Sequence, residues 1–157
     1  MTSTVLDDVD REILYAFQQD ARNTTTRNIS ERVGVTASTI SNRIAQLEAD
    51  GIITNYYTTL DYERAGFPLH VLIRGTAPIA EREGLARRAL DIPGVVNIRE
   101  LMVGEGNIRL ETVGQSNDDI TRIVTVLSKM GVSISDEVLV RNQYYRPLAF
   151  LETEVES

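Results

Sequence analysis

The chain has 157 residues, 42% of them hydrophobic, no cysteine and a formal net charge of −7. That length suits two small domains that each bury a core, and the lack of cysteine excludes disulfides and thiolate metal sites. No basic-then-apolar leader and no long apolar run point to secretion or membrane insertion, so a cytoplasmic protein is expected.

Asp7 reads as the N-cap of a first helix on which Ile13, Leu14, Phe17 and Ala21 form an apolar stripe. Ile29 and Val33 give a second, short helix one apolar stripe, and Gly34 supplies the left-handed conformation that ends it and permits a sharp turn. Val35 at N′, Thr36 at the N-cap and Ile40 at N4 then fit a hydrophobic staple that opens a third helix. On that helix Ile40, Ile44 and Leu47 recur as a buried stripe, while Ser38, Ser41, Asn42 and Ala45 lie opposite. Residues Thr25 to Gly51 therefore spell a helix-turn-helix, and its outer face points to double-stranded DNA. Small hydroxyls, an amide and a guanidinium fit base edges and phosphates in a major groove. Arg43 and Asn42 are expected at base edges, Thr36, Ser38, Thr39 and Ser41 at bases or phosphates, and Arg27 and Arg32 at phosphates.

Net charge opposes this reading, because residues 1–60 hold five arginines against eight acids. Arg22, Arg27, Arg32 and Arg43 fall in or beside the helix-turn-helix, however, whereas Asp7, Asp8, Asp10 and Glu12 cluster at the far end of the first helix, so a locally different sign is expected. Fifteen of the sixteen basic residues are arginine and one is Lys129. With the acid excess, this bias resembles proteins of salt-loving organisms, although GC-rich codon usage gives it too. In molar salt, counterion release contributes little to DNA affinity, which makes an acidic DNA-binding protein less paradoxical.

Ile52 to Pro68 reads as a connection: Tyr56, Tyr57, Thr58 and Thr59 have strand propensity, and Gly66-Phe67-Pro68 breaks the chain before the next apolar run. Beyond it the sequence repeats weakly at an offset of 37 residues, with Val71 and Ile73 matching Ile108 and Leu110, Leu90 matching Leu127, and Gly94-Val95 matching Gly131-Val132. Each half reads strand, helix, strand. Glu81 in one half, and Asp118 with Asp119 in the other, suit the positive end of a helix dipole, and Gly94 and Gly131 suit termination. Two such units predict an antiparallel four-stranded sheet with both helices on one face. The whole is thus an α+β chain, with a winged-helix-like helix-turn-helix domain over residues 1–53, a linker strand and hinge over 54–68, a ferredoxin-like βαββαβ domain suited to dimerisation over 69–146, and an acidic tail over 147–157. The uncovered sheet face calls for a partner, and a homodimer would also set two reading helices on a two-fold-related DNA site. The tail, with Glu152, Glu154 and Glu156, reads as a solvated end.

Taken together, several motifs resemble the leucine-responsive and asparagine-operon (Lrp/AsnC) family of transcription regulators. They are Leu6-Asp7 with Asp10, Ile13 and Leu14; Ser30-Glu31-Arg32-Val33-Gly34-Val35; Ser38-Thr39-Ile40-Ser41 with Arg43, Leu47 and Glu48; and Gly51-Ile52-Ile53. The resemblance covers nearly the whole chain. It implies dimers that assemble into tetramers or octamers, and DNA binding modulated by an amino acid or related small molecule. The family's sensing loop corresponds here to Gly104-Glu105-Gly106-Asn107, with Gly106 where a bulkier residue is common and Asn107 where Asp is common. Glycine amides can approach a ligand carboxylate and an acidic or amide side chain can take its ammonium, while a plain β-hairpin turn remains the alternative. Asp136 is a further candidate contact, with an exposed strand carboxylate as the simpler reading.

Enzymatic readings have little to build on, and neither a catalytic residue nor a metal or cofactor is assigned. His70, the single histidine, sits in the apolar stretch from Leu69 to Ile73 and reads as structural. Two alternatives stay open. Some haem-pathway (sirohaem) decarboxylases share the Lrp/AsnC architecture, which would make His70 an axial ligand, although Ile53-Thr54-Asn55-Tyr56 lacks the basic run expected there. An effector-independent, chromatin-like DNA organiser would bind with little sequence preference.

Overall fold

The computed structural model describes residues 5–153, which divide into two units: residues 5–58 together with 144–153, and residues 59–143. In the first unit, helix α1 spans Asp8–Asp20, α2 Thr26–Val33 and α3 Ala37–Ala49. Asp7 caps α1 through a capping box, its carboxylate accepting from the Asp10 amide at 2.9 Å while Asp10 accepts from the Asp7 amide at 3.2 Å. Thr25 caps α2 and Thr36 caps α3, each accepting from the amide three residues on. Gly34 ends α2 at φ +73°, a left-handed conformation open to glycine at little cost, and its amide closes the turn onto the Ser30 carbonyl at 2.9 Å.

Ile13, Ala16, Ile29, Ile40 and Leu47 form the buried core of this unit, with Val35, Ile44 and Phe17 packed against it. Full burial of an isoleucine or leucine contributes about 1.5–3 kcal/mol, so these few contacts fix how the three helices cross. Ala21 was expected on the α1 stripe but is exposed as its C-cap, because the helix ends at Asp20, whose carboxylate holds both nitrogens of Asn23. Ala16 takes the buried place.

Two expectations for the flanks are corrected. The linker strand does not form: residues 55–60 pair with no strand, because strand propensity without a neighbouring edge secures no ladder. Tyr56 instead sets its ring against Phe17, edge to face, with centroids 5.8 Å apart. In the tail Glu152 is exposed, as expected, and Glu154 and Glu156 lie outside the described residues, but the segment before them is tied down. A 3-10 turn at Ala149–Leu151 packs on α1; the Leu148 amide donates to Gln18 at 2.9 Å, Arg11 donates to the Phe150 carbonyl at 3.2 Å, and Thr153 Oγ1 donates to Glu12 at 2.8 Å.

The second unit realises the repeat. Strand β1 (Leu69–Thr76), helix α4 (Arg82–Ala89), β2 (Val95–Glu100), β3 (Ile108–Gly114), α5 (Asn117–Lys129) and β4 (Ser133–Leu139) build an antiparallel sheet of order β2-β3-β1-β4. Val71, Ile73, Ile108 and Leu110 meet Leu85, Ala89, Ile120, Ile123 and Leu127 of the two helices in one core. The Asp119 carboxylate at the start of α5 accepts from the amides of Gln115 at 2.8 Å and Ser116 at 3.3 Å. Gly131 follows the α5 C-cap directly, whereas α4 stops at Ala89 and Gly94 lies in a later turn behind Pro93. The opposite sheet face is uncovered, leaving Leu72 and Val138 45% and 51% exposed. Among the described residues no helix is long and apolar enough to cross a membrane.

Candidate nucleic-acid interface

The outward face of α3 follows from its inward one. With Ile40, Ile44 and Leu47 turned to the core, Ser38, Ser41, Asn42 and Ala45 emerge as a single exposed stripe at spacings of three and four residues. Their polar side chains carry no intramolecular partner among the described residues, so they are free to meet a ligand. Thr36 and Thr39 stand at the helix start, where their hydroxyls share a 2.9 Å hydrogen bond and Thr36 also accepts the Thr39 amide.

The arginines are placed differently. Arg43 Nη1 donates to Asp7 at 2.7 Å and to Asp10 at 3.2 Å, tying the middle of α3 to the first turn of α1. Arg32 Nη2 lies 2.6 Å from Glu12 Oε1, an ion pair whose alignment falls short of a hydrogen bond, and Glu12 itself is 1% exposed. Arg27 pairs with Glu31 one turn along α2 at 3.0 Å, an exposed pair of little energetic weight. Three of the four acids expected at the far end of α1, Asp7, Asp10 and Glu12, are therefore partners of Arg43 and Arg32, and for these residues the separation of sign inferred from the sequence is not realised. Helix crossing brings Asp7 and Asp10 over α3, a contact between residues more than thirty positions apart that periodicity does not reveal.

These pairs shape the local electrostatics. The Asp10 amide, aided by the Arg43 guanidinium, holds the Asp7 carboxyl below the usual carboxylate range against the opposing effect of burial. The hydrogen bond and charge of Asp7, with the charge of Asp10, in turn strengthen the hold of Arg43 on its proton.

In the second unit the loop Gly104 to Asn107 joins β2 to β3. Asn107 is fully buried: its Oδ1 accepts from the Ala77 amide at 2.8 Å and its Nδ2 donates to the Ala77 carbonyl at 2.9 Å, which locks the loop to the end of β1. The Gly106 amide donates to Thr76 Oγ1 at 2.8 Å. Gly104 and Glu105 are exposed. Asp136 lies across from Arg74 in the β1·β4 register, 3.5 Å from its guanidinium, and a Cβ built on Gly106 would come within 3.1 Å of the Arg74 stem. Gly106 and Asp136 are thus brought together by Arg74, a residue that the sequence reading passed over. Its signal was the alternation of β1, which turns Leu72 and Arg74 away from Val71 and Ile73. His70 Nε2 makes a 2.6 Å hydrogen bond with Glu111, and its ring meets Tyr62 edge to face.

A family model described as winged helix-turn-helix DNA-binding matches residues 6–54. An uncharacterised HTH-type transcriptional regulator of Pyrococcus furiosus is 34% identical over 131 residues, 81% of this chain and 85% of its own length. The chain belongs to the HTH-type transcriptional regulators. This regulator is also similar to a transcriptional regulator of Neisseria meningitidis solved in complex with L-Met, at 28% identity and TM-score 0.74, with 91% and 94% of the two chains covered. AsnC of Escherichia coli, at 19% identity, TM-score 0.73 and coverage of 92% and 99%, shares the fold. The two-domain Lrp/AsnC architecture of this regulator, and its role as a DNA-binding transcription regulator, are thereby established.

Proposed function

We propose that this regulator reads its operator with the outward face of α3, Asn42 and Ser41 at base edges, and Thr36, Ser38 and Thr39 at bases or phosphates. The observation that carries this reading is the contrast within one helix: the Ser38, Ser41 and Asn42 side chains are exposed and unengaged, while Arg43 is held by two carboxylates. Arg43 and Arg32 then act first as positioning residues that set α3 against α1 and α2, and reach DNA only by exchanging a carboxylate for a phosphate; Arg27, in an exposed pair, exchanges most readily.

A homodimer formed through the open sheet face places two reading helices on successive major grooves, and dimers assemble further into tetramers or octamers. An amino acid or related effector, taken near Gly104-Glu105 and Asp136, shifts the packing of the sensing domains and so the spacing of the DNA modules. The L-Met complex of the Neisseria relative supports this, as do the exposed loop residues. The protein works in the cytoplasm as a regulator and not as an enzyme, and its acid excess and arginine bias support a haloarchaeal-like, salt-rich setting.

The test is operator selection from a randomised DNA pool with the wild-type chain, Asn42→Ala and Ser41→Ala. Relaxed preference at one or two base positions in each variant is expected. An unchanged consensus in both would remove α3's outer face as the reader. Repeating the selection with single amino acids added shows whether an effector alters binding.

A further inference from the structure

The open face of the sheet carries an arrangement that the DNA-binding role does not use. In the strand registers Arg99 stands opposite Arg109, Arg109 opposite Arg74, and Arg74 opposite Asp136, so one row crossing all four strands reads Arg, Arg, Arg, Asp. Like charges directly opposite one another in a sheet are destabilising. Asp136 answers only Arg74, at 3.5 Å, and no carboxylate pairs with Arg99 or Arg109 among the described residues. The nearest remaining acid on this face, Glu111 in the adjoining row, is engaged by His70 at 2.6 Å and by Gln143 at 3.1 Å. Two neighbouring guanidinium groups are thus left without a carboxylate in ion-pair contact, while Glu111 and Asp136 stand in the lining of the same cavity.

They line a cavity of about 240 Å³ on this face, with Leu72 and Val138 supplying apolar walls. We propose that this cavity is a binding site for a small organic anion carrying two carboxylates, gripped by Arg99 and Arg109 and bordered by Arg74. Guanidinium forks match carboxylates with paired hydrogen bonds, and two carboxylates neutralise two unpaired arginines. The apolar walls suit the carbon skeleton between them and favour an organic dianion over inorganic phosphate. Arg74 is kept at the border because Gly106 leaves room for its stem. The site adjoins the effector contact proposed above, because Asp136 lines this cavity too, but it rests on Arg99 and Arg109 and not on the loop amides. If a second copy covers the face, the arginine rows of both copies approach each other, and the ligand then favours the dimer.

The test is calorimetric titration of the full chain with succinate, acetate and inorganic phosphate at matched ionic strength. Succinate is expected to bind at least tenfold more tightly than either of the others, and a variant carrying Arg99→Gln and Arg109→Gln, its fold checked by circular dichroism, to lose that preference. Equal binding of succinate and acetate, tighter binding of phosphate, or succinate binding that survives in the folded double variant overturns the proposal. Should the double variant not fold, arginine Nε–Hε resonances of the wild-type protein decide. Succinate-dependent shifts at Arg99 and Arg109 support the site, and shifts confined to other arginines overturn it.

Discussion

Arg43 has two places to put its charge, and the structure shows which it takes without DNA: the carboxylates of Asp7 and Asp10. Because Asp7 is held below the usual carboxylate range, its ionised form stabilises the fold above the unfolded-state value near pH 4, and that contribution is lost as pH falls through the lower folded-state value. Arg43 holds its proton more tightly when folded, so its contribution is complete throughout the neutral range and vanishes only in strong alkali. Arg43→Ala is therefore expected to lower the thermal midpoint at pH 7, and the gap to wild type should narrow as the pH falls through the lowered folded-state value of Asp7. Melting curves by circular dichroism across that range check this. Arg32 and Glu12 offer a sharper contrast. Removing Arg32 leaves a buried carboxylate without its cation, so Arg32→Ala should be more destabilising than the double variant Arg32→Ala with Glu12→Gln, by urea denaturation. At the DNA, Asn42→Ala is expected to weaken specific binding by about 1–3 kcal/mol while leaving non-specific binding nearly unchanged, as read by fluorescence anisotropy on operator and random duplexes.

Helices and strands carry their own instructions to different degrees. Gly34→Ala places a Cβ at φ +73° and is expected to destabilise the first unit by about 1–2 kcal/mol, with Gly34→Asn milder because asparagine tolerates the left-handed region; denaturant midpoints compare the two. Ile73→Ala, at a fully buried position of the central strand, should cost about 2–5 kcal/mol in the second unit, measured the same way. Positions of this sort were legible in the sequence, because caps, staples and stripes are local: Asp7, Thr36 and the Ile40-to-Leu47 stripe all stand where their spacing put them. The 37-residue repeat likewise revealed the sheet, since each half buries the same alternate positions. What spacing does not encode is contact between elements. The pairing of Arg43 with Asp7, the locking of Asn107 onto Ala77 and the alignment of three arginines across separate strands arise only from helix crossing and strand register. The candidate site was accordingly legible as a face but not as a set of committed and uncommitted side chains. Tyr56 to Thr59 show the reverse failure, a local preference for strand that met no partner edge.

For the molecule as a whole, a net charge of −7 and arginines already engaged by acids leave few cations for phosphate contact. The logarithm of operator affinity should therefore fall with the logarithm of KCl concentration with a slope of magnitude below about 4, as for roughly four phosphates or fewer. Binding titrations from 0.1 M KCl upward measure it, and a steep slope would mean that the intramolecular pairs open to serve the DNA. A different consequence belongs to Gly106, whose missing side chain leaves the volume that the Arg74 stem fills. The two positions share one space and have separate partners, so neither can change freely. A bulkier residue at 106 meets both the left-handed backbone, at φ +62°, and the Arg74 stem, so shortening position 74 should relieve the second cost and leave the first.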